Sequence, residues 1–173
     1  MIQRNNPAYF YSMKKLSFIL LFITVSIFSF AQQIPKWKIT DYEKYIVDSK
    51  DEVLVINFWA TFCKPCVAEI PSFISITEKY KAEKVKLMLI SLDLKSEYPA
   101  KIAAFAKKHT FNTNIAWLNE TDADYFCPKV DVKWSGSIPS TIFVNTKTGY
   151  KFFYEGEMTK EEFEKELQTA IKG

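Results

Sequence analysis

Glycine, cysteine and histidine are all scarce in this chain of 173 residues, which holds 4 Gly, 3 Cys and 1 His. Few glycines and 7 prolines beside 48% apolar residues exclude a low-complexity or disordered polymer and leave enough apolar mass for a core. Three cysteines, Cys63, Cys66 and Cys127, are too few for a fold stapled by disulfides. Charge of one sign is missing too, once the N-terminus is set aside. The formal charge is +3, and residues 1–31 carry it all in Arg4, Lys14 and Lys15 with no acid, leaving 20 basic and 20 acidic residues in the remainder. A neutral body gives no electrostatic reason to expect a nucleic-acid partner. Internal repeats and linkers are also absent.

Residues 1–31 read as a separate segment. Lys14-Lys15 precede an apolar run from Leu16 to Phe30, broken only by Ser17, Thr24, Ser26 and Ser29. Ser29-Phe30-Ala31 then supplies small residues ahead of Gln32-Gln33. This order predicts a secretory signal peptide cut after Ala31, with Met13 as a candidate start. The alternatives are an uncleaved inner-membrane anchor through residues 16–30 and a buried core helix. The run is short for a bilayer span, which needs about 20 apolar residues. No cysteine lies near the cut, so a lipoprotein signal is absent. The expected organisation is a leader over 1–31 and one domain over 32–173. Export places that domain in a periplasmic or other extracytoplasmic space, where thiols meet oxidants.

In the body, apolar periodicity predicts alternating strands and helices. Trp37–Thr40 reads as a short strand, and Asp41 as the cap of a helix to about Asp48. Val53 to Trp59 is a β-branched and aromatic run expected to be a buried central strand. Helical spacing follows from Lys64 to about Tyr80, with Pro71 inside it. Val85 to Leu92 reads as a second buried strand. Pro99 opens a helix whose stripe is Ile102, Phe105, Ala106 and His109. Ile115 to Leu118 is a third strand, and Asp122 to Val130 a short helix interrupted by Pro128. Thr141–Asn145 and Tyr150–Glu155 form a hairpin around Gly149. Thr159 and Glu162 make a capping box for a last helix that turns Phe163, Leu167 and Ile171 inward. The order gives an α/β fold: a central mixed β-sheet flanked by helices.

The chemistry concentrates in Phe58-Trp59-Ala60-Thr61-Phe62-Cys63-Lys64-Pro65-Cys66. Two cysteines one helical turn apart at the end of a buried strand predict an exchangeable disulfide. A structural disulfide and half of a zinc site are the alternatives. Zinc needs about four ligands, and the only other Cys and His residues are Cys127 and His109. No metal is therefore expected, and a copper-chaperone reading lacks its wider Cys spacing and a suitable His. A peroxidase needs a cysteine in a Pro/Thr-rich context that neither Cys63 nor Cys127 has.

That segment resembles the active-site segment of thioredoxins, and Ser137-Ile138-Pro139-Ser140-Thr141-Ile142-Phe143-Val144 resembles the segment that carries their cis-proline. The likeness covers about Ile34 to Ile171. Within the superfamily the chain is most similar to exported TlpA/ResA-type thiol-disulfide oxidoreductases. The leader, Asn57 in place of the buried Asp of thioredoxins, and Glu69 three residues after Cys66 carry that likeness. So does an insertion between the second and third core strands, here roughly Ser91 to Asn114. Phe62 and Lys64 depart from the pattern: the family has Trp at the first position, and thioredoxin has Gly at the second.

The resemblance implies a thioredoxin-like fold with an N-terminal extension. It also implies an enzyme that reduces protein disulfides without a cofactor beyond the Cys63–Cys66 disulfide. Cys63, at a helix N-terminus beside Lys64, is the expected nucleophile, because backbone N–H groups and the helix dipole favour its thiolate. Cys66 is the resolving thiol. Glu69 is expected to relay protons to Cys66, with a solvated helix-face Glu as the alternative. Ile138 and Pro139 are expected to contact the substrate chain, with an ordinary trans-Pro at a strand start as the alternative. Trp59 is expected as a lid beside the disulfide, or else as core. Asn57 shapes the site, and Pro65 tunes the helix entry and the potential. Cys127 is expected to be a buried thiol, with a third redox partner as the other option. The implied partners are protein disulfide or dithiol substrates and an integral membrane thiol-reductant carrier. Cytochrome c maturation and envelope thiol homeostasis are the implied roles, and the protein is expected to be a monomer. The competing functions are a disulfide-forming oxidant and a non-catalytic thioredoxin-fold binding module with a structural disulfide.

Overall fold

The computed structural model describes residues 33–173, so the leader expected over residues 1–31 lies outside the described residues. Among these, six strands form one sheet: β1 Lys36–Trp37, β2 Val53–Trp59, β3 Val85–Ser91, β4 Asn114–Leu118, β5 Ser140–Asn145 and β6 Tyr150–Glu155. The helices between and after them are α1 Ile39–Asp48, α2 Lys64–Lys79, α3 Ala100–Lys108, α4 Ala123–Val130 and α5 Lys160–Lys172. Strand order across the sheet is β1-β4-β3-β2-β5-β6. β1, β4, β3 and β2 pair in parallel with one another, whereas β5 pairs antiparallel with β2 and β6 antiparallel with β5. This is the mixed α/β sheet that the strand and helix pattern predicts.

Strand alternation assigns each side chain to one of two cores. On β2, Val53, Val55 and Trp59 join the core under α2, α3 and α5, together with Phe73, Ile102, Phe163 and Leu167. Leu54, Ile56 and Phe58 join the opposite core, with Ile39 and Tyr42 of α1 and Phe126, Cys127 and Val130 of α4. Every residue of β2 is buried, as a strand covered on both faces requires. Asn57 shares the parity of Val55 and Trp59, so it faces α2. The Phe73 and Phe163 rings stack at 3.9 Å and join α2 to α5.

Element boundaries differ from the sequence reading where local chemistry allows two registers. α1 starts at Ile39, not Asp41; Asp41 is its third residue, and its carboxylate accepts from the backbone N–H of Lys38 (2.7 Å). Thus the acid closes the first turn from inside the helix rather than capping it from outside. Pro99 is the cap of α3 and follows a cis bond from Tyr98. α4 runs unbroken through Pro128, with Asp122 capping it by accepting from the Tyr125 N–H (3.3 Å). α2 likewise continues through Pro71. The α5 capping box forms as expected between Thr159 and Glu162. In the β5–β6 turn, Gly149 takes φ +81° and the Asn145 side chain accepts from the N–H groups of Lys147 and Thr148.

Candidate active site

β2 delivers the chain to the active-site turn, and α2 begins one residue after the first cysteine. Cys63 caps α2: its sulfur accepts from the Cys66 N–H (3.3 Å), and its carbonyl accepts from Val67 N–H (3.1 Å). A disulfide joins Cys63 to Cys66, with their Cα atoms 5.4 Å apart. Cys66 is fully buried, while Cys63 keeps 8% of its surface. Cys63 is therefore the more accessible of the two, at the helix N-terminus, and Cys66 is shielded one turn below it. Lys64 and Pro65 occupy the first turn of α2 and are both exposed. Phe62, immediately before Cys63, is 67% exposed. Trp59 is fully buried in the same apolar cluster as both cysteines, against Phe105 and Phe111 (centroids 6.0 and 5.4 Å). Its burial fits the core alternative, in the cluster that also holds both cysteines.

Glu69 is a buried acid, not a solvated one: only 5% of it is exposed. It lies on α2 three residues after Cys66, which puts both on one helix face. Its Oε1 accepts from Asn57 Nδ2 (3.0 Å), and its Oε2 accepts from the Met158 N–H (3.0 Å). Burial pushes its pKa up to about 7; the hydrogen bonds from Met158 and Asn57 pull it back down, and Glu157 adds a small upward push. A carboxyl poised there exchanges protons readily at neutral pH. The Asn57 amide spends its second hydrogen on Thr141 Oγ1 (3.0 Å), the residue paired with it across β2 and β5. Asn57 Oδ1 is left buried without a hydrogen-bond partner among the described residues, at a cost of about 1–3 kcal/mol.

The Ile138–Pro139 bond is cis. β2 and β5 pair Phe58 with Ser140. Continuing that register sets Pro139 and Ile138 alongside the end of β2, where the chain enters the cysteine turn. Ile138 is half-buried and packs against both cores. The segment is held from behind: the Ser137 carbonyl accepts from Trp134 Nε1 and Ser140 Oγ (both 2.8 Å), and the Pro139 carbonyl accepts from Gly156 N–H (2.9 Å).

Asp93 is the site residue that the sequence reading missed. It is 4% exposed and sits just past the end of β3. Its carboxylate accepts from the Thr61 N–H (3.0 and 3.1 Å), from Thr61 Oγ1 (2.6 Å) and from Ser91 Oγ (2.7 Å). Its carbonyl takes Trp117 Nε1 (2.8 Å). Asp93 thereby ties the turn two residues before Cys63 to β3 and β4. The signal available in the sequence is an acid at the close of an apolar strand, in Ser91-Leu92-Asp93.

The remaining candidates stand apart. Cys127 is 3% exposed and belongs to the core on the other face of the sheet from Cys63 and Cys66. Burial, with Glu155 and Asp124 adding to it, pushes its thiol up to about 11. Cys127 is thus a buried free thiol in the core on the sheet face away from the cysteine pair. His109 caps the C-terminal end of α3 and stacks on Phe105 at 4.2 Å.

Among known proteins, the chain is 28% identical to the thioredoxin-like protein YneN of Bacillus subtilis over 121 residues, which cover 69% of this chain and 66% of that protein. It is 29% identical to the thiol-disulfide oxidoreductase ResA of Bacillus thuringiensis over 143 residues, covering 79% and 76%. The crystal structure of a thioredoxin-related protein from Neisseria meningitidis superposes with a TM-score of 0.57 at 26% identity, covering 72% of this chain and 88% of that one. The fold is thus thioredoxin-like. Residues 30–148, well over half of the chain, match the AhpC/TSA family model, and the chain belongs to that family.

Proposed function

We propose that this protein is a thiol-disulfide oxidoreductase that reduces protein disulfides outside the cytoplasm. One observation carries the chemistry: a disulfide between a cysteine at the N-cap of α2 and a second, buried cysteine one turn on. In the reduced protein the Cys63 thiolate, favoured by the α2 N-terminus, attacks one sulfur of a substrate disulfide. That S–S bond breaks, a substrate thiolate leaves, and a mixed disulfide joins Cys63 to the substrate. Cys66 then gives its proton to Glu69 and attacks the Cys63 sulfur. The second substrate thiolate leaves, and the Cys63–Cys66 disulfide forms. Two electrons have passed to the substrate, whose thiolates take up protons from solvent and from Glu69.

Ile138 and Pro139 hold the substrate chain in this reading, supported by their register beside the cysteine turn. A membrane thiol-reductant carrier restores the dithiol. The reductive direction rests on the resemblance to the TlpA/ResA branch. The extracytoplasmic location rests on the basic residues and apolar run of the leader. Apocytochrome c, with its paired cysteines, is the kind of substrate that branch suggests. Replacing the nucleophile is the test. Cys63→Ser is expected to abolish reduction of insulin disulfides by dithiothreitol-charged protein. Full activity in that variant sinks the catalytic reading and leaves a binding module with a structural disulfide.

A further inference from the structure

We propose that Asn57 is a positioning residue that turns its amide over in step with the proton on Glu69, so that this acid is hydrogen-bonded both before and after it takes a proton from Cys66. The proposal rests on the acid–base role given to Glu69 above. It begins from an asymmetry in the buried amide. Both Asn57 Nδ2 hydrogens are used, one on Glu69 Oε1 and one on Thr141 Oγ1, while Oδ1 has no partner among the described residues. Such an arrangement does not suit a carboxyl protonated on Oε1, the oxygen that faces the amide. An ionised carboxylate accepts hydrogen bonds and has none to give, so it needs the amide's N–H.

A protonated Glu69 changes that requirement. When the Cys66 S–H bond breaks and an O–H bond forms on Oε1, the carboxyl becomes a donor pointing at Asn57. A half-turn of the amide exchanges Nδ2 and Oδ1 in nearly the same envelope. Oδ1 then accepts from the Glu69 O–H, and Thr141, whose hydroxyl both accepts and donates, supplies a second hydrogen to it. The two states mirror each other: each satisfies one amide atom twice and leaves the other unpaired. The backbone N–H of Met158 stays on Oε2 throughout and anchors the carboxyl. Asparagine serves both states. An aspartate at position 57 has no fixed donor for an ionised Glu69, and an apolar residue has neither donor nor acceptor.

Few other groups act on Glu69. Cys66 lies on its own helix face, and the loop before α5 contributes Glu157 as well as the Met158 N–H. β2 and β5 present Asn57 and Thr141, neither of which titrates. A pH-dependent signal on the Asn57 amide that disappears in Glu69→Gln therefore reports Glu69.

The test is nuclear magnetic resonance of the oxidised full chain labelled with nitrogen-15, titrated between about pH 5 and 9. The Asn57 side-chain amide pair, assigned by its loss in Asn57→Leu, is expected to shift with the midpoint of Glu69. In Glu69→Gln that titration is expected to vanish. The pH midpoint of disulfide reduction is expected to rise by about one unit or more in Asn57→Leu, because the carboxylate loses a donor. Amide resonances that stay fixed across the range overturn the proposal, as does a midpoint in Asn57→Leu equal to that of the unaltered protein. Should Asn57→Leu not fold, Asn57→Asp supplies the missing-resonance assignment and the titration decides alone. Failure here with Cys63-dependent reduction intact removes only the role of Asn57; activity that survives Cys63→Ser removes the functional reading instead.

Discussion

Two buried carboxylates flank the disulfide, and they are satisfied very differently. Asp93 takes hydrogen bonds from a backbone N–H and two hydroxyls, all within the turn and strand end that it joins. Glu69 takes two, one from a backbone N–H and one from an amide, and the amide pays with an unpaired oxygen. Hence equal burial, 4% and 5% exposed, does not mean equal chemistry. A carboxylate that takes a backbone N–H and two hydroxyls braces the segments it joins. A carboxylate with few donors in an apolar site sits near its titration point and can work as an acid and a base. Asp93 positions Thr61 ahead of Cys63, and Glu69 lies on α2 three residues beyond Cys66.

The comparison breaks most visibly at Asp93. Asp93→Ala strands the Thr61 N–H and two hydroxyls, and is expected to destabilise the oxidised protein by about 3 kcal/mol. That corresponds to roughly a 10 °C drop in Tm by thermal melt; an unchanged Tm removes the brace. Glu69→Gln is expected to keep the fold but slow disulfide reduction roughly 100-fold near neutral pH, read from single-turnover kinetics. It also changes the pH dependence of stability. The native Glu69 holds its proton up to about pH 7, whereas the ordinary value is 4.5. Between those values the folded state binds more protons than the unfolded, so this group makes stability fall as pH rises, with the loss complete above about 7. Urea unfolding across that window is expected to lose this slope in Glu69→Gln, and the same slope in the variant contradicts the assignment. The smallest effect is Ser91→Ala, which removes one donor from Asp93 and is expected to cost about 1 kcal/mol, with disulfide reduction unaltered.

Legibility in the sequence followed the range of the interactions. The strand Val53–Trp59, the helix opened by Cys63 and the Thr159–Glu162 box depend on neighbours within a turn or on a dense apolar run, and all three stand where their residues place them. The start of α1 was less legible because Asp41 closes a first turn equally well from inside or outside the helix. Cys63 and Cys66 carry their own spacing. Glu69 does not: its burial depends on Asn57 and Met158, 12 and 89 residues away. Asp93 reaches Thr61 across 32 residues, and the acid at the close of its strand does not by itself mark that partner. Trp59 illustrates the same limit, since a strand-end aromatic next to a turn becomes core only when Phe105 and Phe111 close over it.

The Cys63–Cys66 reduction potential, equilibrated against a glutathione couple, tests the central claim most directly. A reductase of protein disulfides predicts a value near that of thioredoxin, about −270 mV. A value near that of a strong thiol oxidant, about −120 mV, would contradict it and reverse the flow of electrons through the site.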